Sequence, residues 1–112
     1  MESYRWSPTA TKACADAATS CVPVASLQGV RVSVFAQDDA LGPEHHYVRV
    51  DLAFLDASGA VVAEAGTSCP LRSLTVPAGA ATLRVHIVPP AAEDLASGAC
   101  GVPMRGGIVV FW

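Results

Sequence analysis

Tyr47 to Ala65, YVRVDLAFLDASGAVVAEA, decides the fold. Val48, Val50, Leu52 and Phe54 fall at every second position, with Arg49 and Asp51 between the first three. A strand turns successive side chains to opposite faces, so this spacing gives one apolar face and one wetted face. Asp56-Ala57-Ser58-Gly59 then supplies turn chemistry, and Ala60 to Ala63 reads as the return strand of a hairpin.

The same alternation recurs on both sides of the hairpin. Gly29-Val30-Arg31-Val32-Ser33-Val34 places its valines on one face. Leu83, Val85 and Ile87 alternate with Thr82, Arg84 and His86 until Pro89-Pro90 ends the run. Ser73 to Val76 is a short strand stopped by Pro77-Ala78-Gly79, and Ile108 to Trp112 is a continuous apolar strand suited to a central position. Gln37 to His46, Gly66 to Arg72 and Ala91 to Arg105 read as loops. Thr11 to Ala18 suits a short helical turn or a tied-down arm. The expectation is all-β: one antiparallel β-sandwich, jelly-roll or immunoglobulin-like, of about 6–8 strands. It occupies residues 29–112, with residues 1–28 as an irregular arm packed on it, in a single domain.

Composition narrows the function classes. A chain of 112 residues has room for one core, and a hydrophobic fraction of 52% excludes intrinsic disorder. Charged residues are only 15%, Lys12 is the sole lysine, and Arg5, Arg31, Arg49, Arg72, Arg84 and Arg105 are scattered. With a net charge of -3, nucleic acid is not an expected partner. No apolar run approaches the roughly 20 residues of a membrane helix. Met1 to Trp6 lacks the basic-then-apolar order of a signal peptide, so no leader is visible, and Met1 is either native or a start left after a leader.

Cys14, Cys21, Cys69 and Cys100 are an even number in a small domain, which points to two disulfides and an extracellular setting. Three pairings exist, and Cys14–Cys21 with Cys69–Cys100 is favoured. The first closes a short polar loop, and the second joins the loops that flank the strand Thr82 to Val88. The alternative is four buried free thiols in a cytoplasmic protein. No close pair of the C-x-x-C kind suggests zinc.

The densest group of polar ligands is Glu44-His45-His46 with Asp38 and Asp39. Adjacent histidines on a strand point to opposite faces, and the spacing follows no ordered ligand pattern. A solvated loop is the expectation, with no metal and no cofactor. His86 alternates outward beside Arg84 and reads as a surface residue. A nucleophilic triad would need an activated serine or cysteine, and no G-x-S-x-G elbow is present, so no enzyme is expected.

Two family resemblances bear on function. Cys69-Pro70-Leu71-Arg72, with Cys100 and the apolar end Val109 to Trp112, resembles the subtilisin inhibitors secreted by streptomycetes. That resemblance implies a reactive loop at Cys69 to Arg72, tethered by a disulfide to a cysteine near the C-terminus. The chain departs from those inhibitors after Cys21, where Val22-Pro23-Val24 leads into a strand rather than a helix. Val50 to Gly59, Leu74 to Ala80 and Leu83-Arg84-Val85 are similar to carbohydrate-binding jelly-roll modules. This second likeness covers Val48 to Val88 and implies a jelly-roll scaffold. A sugar platform would need exposed aromatic faces, and Trp6 and Tyr47 are the candidates.

Together these point to a non-catalytic extracellular module, acting as a structural or interaction subunit of a surface, filament or virion assembly. Carbohydrate binding is the alternative, and serine protease inhibition through Cys69 to Arg72 the second. The expected partner is a protein or another copy, with a glycan next. Trp6, Tyr47, Leu71, Arg72 and Trp112 are the candidate contact residues.

Overall fold

The hairpin expected at residues 47–65 divides between two antiparallel sheets that share a single core: residues 50–65 lie in one, and Tyr47 and Val48 join the other. A computed structural model describes residues 2–6, 19–38, 47–69, 71–98, 100–101 and 106–112. For residues 2–6, 37–38, 106–107, 109 and 111 the backbone alone is described. Among these, nine strands are present: β1 Glu2–Trp6, β2 Thr19–Pro23, β3 Arg31–Asp38, β4 Tyr47–Val48, β5 Val50–Leu55, β6 Val61–Ser68, β7 Leu71–Thr75, β8 Thr82–Ile87 and β9 Gly106–Phe111. A 3-10 turn, Ala25–Leu27, follows β2, and a short helix, α1 Ala92–Ser97, lies between β8 and β9.

The first sheet runs β1-β9-β3, and the far side of β3 is shared by β4 and β7. The second runs β2-β8-β5-β6. The apolar run at the C-terminus is central as its sequence suggests, since β9 pairs β1 on one side and β3 on the other.

The alternating residues become the core. Val32, Val34 and Ala36 of β3, Ile108 and Val110 of β9, Val50, Leu52 and Phe54 of β5, and Leu83, Val85 and Ile87 of β8 bury together in one cluster. Fully burying a side chain of this size is worth about 1.5–3 kcal/mol. The pattern that was legible as period two is therefore also the main source of stability. The hairpin turn is locked by Asp56, whose Oδ1 accepts hydrogen bonds from the Ser58 N–H (2.9 Å), the Ser58 hydroxyl and the Ala60 N–H. Gly59 sits at φ +90°, which a residue with a Cβ resists.

Four expectations are corrected. The irregular arm contains two strands: β1 is recruited by β9 and β2 by β8, long-range pairings that no local periodicity announces. β3 runs on to Asp38, beyond the start of the expected Gln37 to His46 loop. The return strand extends to Ser68, and β7 starts at Leu71, so the expected loop at Gly66 to Arg72 shrinks to the junction at Cys69. Gly66 looked like a loop residue, but its φ of +73° belongs to a β-bulge. The pairing of β5 with β6 shifts register between Leu52 and Ala53 and again between Phe54 and Leu55, which leaves Ala65 and Val62 as extra residues on β6. The expected loop Ala91 to Arg105 contains α1. The turn or arm expected at Thr11 to Ala18, and the polar loop at 39–46 with His45 and His46, lie outside the described residues.

Candidate functional site

Two chain crossings between the sheets meet at one end of the molecule. At Arg49 the chain leaves β4 in the first sheet and enters β5 in the second. At Cys69 it returns, from β6 to β7. The segment after β8 closes over both crossings. Val88 N–H donates to the Arg49 carbonyl (3.1 Å), and Gly101 N–H donates to the Tyr47 carbonyl (3.0 Å). Cys69 and Cys100 stand at disulfide distance with Cα atoms 6.4 Å apart, the pairing favoured from sequence.

Beside the disulfide lies a two-pronged ion pair. Arg49 Nε donates to Asp94 Oδ2 at 2.6 Å and Nη2 to Oδ1 at 2.8 Å. Asp94 is 4% exposed and also accepts the Ala91 N–H at 2.8 Å, so it caps the start of its own helix. The Arg49 hydrogen bonds hold the Asp94 carboxyl down at about 2, against the opposing effect of burial and with help from the Ala91 N–H. Glu93 stands 3.6 Å from Arg49 and is largely exposed. The sulfurs of Cys69 and Cys100 and an Asp94 oxygen lie within 4.8 Å of one another, a grouping with metal-ligand chemistry. Here the sulfurs face each other and both carboxylate oxygens are engaged, so the trio acts as a structural knot.

This knot supports an apolar patch on the outer face of the first sheet. Val32, Val34 and Ala36 point inward, so Phe35 points out. The Tyr47 ring meets it edge-on, with centroids 5.5 Å apart and planes at 86°. Leu71 sits directly opposite Phe35 across the β3–β7 pair and is 51% exposed. Tyr47 is 39% exposed.

Of the residues singled out from sequence, Tyr47 and Leu71 are therefore brought together, with Arg72 exposed beside them in β7. Leu71 and Arg72 are in strand register with Phe35 and Val34, not on a projecting loop. Trp112 is exposed beyond the end of β9. Trp6 lies in β1 opposite Gly106, and its side chain is outside the description, as are Cys14 and Pro70. Cys21 is half-buried on β2, and none of the described cysteines is a free thiol.

Phe35, Arg49 and Asp94 are site residues that sequence reasoning missed. Phe35 carried a signal, as a large apolar residue at the wetted parity of an alternating strand. Asp94 carried a weaker one: Pro89-Pro90 before it, acidic residues opening a helix and Gly98 closing it. Nothing local links Arg49 to a partner 45 residues away.

The outer face of the second sheet carries a polar row. Thr19, His86 and Asp51 lie opposite one another on β2, β8 and β5. Thr19 Oγ1 is 2.7 Å from His86 Nδ1. His86 is thus half-buried and hydrogen-bonded, where a surface position was expected. Hydroxyl, imidazole and carboxylate are triad components, yet Thr19 is only 1% exposed, which leaves its hydroxyl no approach for a substrate.

Among the described residues no helix is long and apolar enough to cross a membrane. Set against protein-family models, curated proteins and solved structures, the chain matches none of them.

Proposed function

We propose that this chain is a secreted, non-catalytic jelly-roll sandwich that serves as a structural or interaction subunit of a surface, filament or virion assembly. The strand orders β1-β9-β3-β7 and β2-β8-β5-β6 are those expected of two interleaved Greek keys, which supports the jelly-roll reading over the immunoglobulin-like one. A second disulfide, Cys14–Cys21, completes the proposal and suits an oxidising compartment. The partner is a protein, either another copy of the chain or a neighbouring subunit.

One observation carries the reading: exposed Tyr47 and Leu71 gather around a half-buried Phe35 on a sheet face that the disulfide and the Arg49–Asp94 pair hold rigid. Apolar residues gathered on a rigid face suit a contact surface, because little ordering entropy is lost on docking. A Tyr47→Ser/Leu71→Ser double variant tests it by sedimentation. The wild-type chain is expected to associate with itself or with its co-purifying partner, and the variant to lose that association with an unchanged melting temperature. Equal sedimentation of the two would remove the reading.

A second reading, carbohydrate binding, draws on the exposed Tyr47 ring and the scaffold resemblance. A glycan array silent for the wild-type chain would dismiss it. The inhibitor reading rests on Leu71 and Arg72 beside the Cys69–Cys100 tether, and intact subtilisin and trypsin activity in the presence of excess protein would dismiss that.

A further inference from the structure

The open edge of β7 differs from the edges of β2, β4 and β6. Val76 N–H donates to the Val30 carbonyl at 3.0 Å, one step beyond the Arg31–Thr75 register. Hydrogen-bonded and non-hydrogen-bonded pairs alternate along an antiparallel ladder. Val32–Leu74 and Val34–Arg72 are therefore the bonded pairs, and Leu71, Ser73 and Thr75 turn their N–H and C=O groups away from β3. Among the described residues no strand pairs that edge, and none of these three residues has a backbone partner on that side.

Three other edges are blunted, while β1 is a five-residue edge of unbroken register like β7. β6 carries two extra residues that distort its ladder, β2 ends in Pro23, and β4 has two residues. Bulges, prolines and short length are the devices that keep an edge from pairing. β7 is straight through all five residues and anchored at its entry by the Cys69–Cys100 pair. Two cations also stand on or beside it among the described residues. Arg72 on β7 and Arg31 opposite Thr75 are exposed, and neither has an ion pair or hydrogen bond among the described residues.

We infer that the β7 edge is a strand-addition site for an extended, acidic segment of another polypeptide. The unpaired peptide groups of Leu71, Ser73 and Thr75 take its backbone, Leu71 takes an apolar side chain, and Arg72 and Arg31 take its carboxylates. This rests on the interaction-module reading and shares Leu71 with the Phe35–Tyr47 face, but it uses the backbone edge of β7 rather than that face.

Amide NMR of the labelled protein, titrated with the capped peptide Thr-Val-Thr-Glu-Val, tests it. The amides of Leu71, Ser73 and Thr75 are expected to shift and to gain protection from exchange. Arg72→Glu should weaken binding by about fivefold, the scale of an exposed charge pair. Ser73→Pro removes an outward N–H and should abolish binding while leaving the bonded pairs with β3 intact. If that variant fails to fold, the same peptide N-methylated at alternate amides reads the same hydrogen bonds on unaltered protein. Tyr47→Ser, which removes the face contact, should leave the signal intact, so the two readings fail separately. Shifts scattered away from β7, equal binding of the N-methylated peptide, or protection of these amides by rising protein concentration alone would overturn the inference.

Discussion

Asp94 ties part of the fold's stability to acid pH. Its carboxyl titrates at about 2 in the folded chain, below the ordinary 3.8, because Arg49 and the Ala91 N–H bond its charged form. A depressed folded value means that the stabilisation is complete above the ordinary carboxylate range. It is lost as pH falls through 3.8 toward 2. Melting temperature should therefore drop across that acid window, and Asp94→Asn should lower it at neutral pH while flattening the acid limb. An unchanged acid limb in the variant would show that other carboxylates govern it. Ser20 makes the opposite case. It lies opposite Val85, is 3% exposed, and its hydroxyl has no hydrogen-bond partner among the described residues. A buried hydroxyl without a partner costs stability, so Ser20→Ala should raise unfolding free energy by about 1 kcal/mol in a denaturant titration.

At the scale of elements, the closing segment between β8 and β9 is held by the disulfide, the ion pair and two backbone hydrogen bonds. The Cys69–Cys100 link spans 31 residues, and a loop of that length corresponds to roughly 3–4 kcal/mol of unfolded-state entropy. Cys69→Ser/Cys100→Ser should lose about that much in chemical denaturation. A smaller loss would mean that Arg49–Asp94 alone holds the segment. These elements also divide what the sequence disclosed from what it hid. β3, β5 and β8 were legible because burial on one face writes itself as alternation, and β9 because a central strand reads as a continuous apolar run. β1 and β2 were not, since five residues paired at long range carry too little pattern. β6 was cut short by Gly66, a bulge glycine that resembles a turn. The site was half legible: Tyr47 and Leu71 stood out as candidates, whereas the Arg49–Asp94 pair depends on two crossings that only the assembled sheets bring together.

For the whole molecule, stability and contact fall to different layers in the proposed reading. The core between the sheets is small and branched, so Leu52→Ala should cost about 2–5 kcal/mol and act on folding alone. Tyr47 and Leu71 of the outer cluster add little to that core and present exposed apolar surface. Photo-crosslinking in the native source tests this division most directly, with a photoreactive phenylalanine derivative placed at position 71 and, as a control, at position 57 in the exposed hairpin turn. The account predicts adducts to a second polypeptide from position 71 and none from position 57. Adducts from neither position, or equally from both, would contradict an interaction module that works through this face.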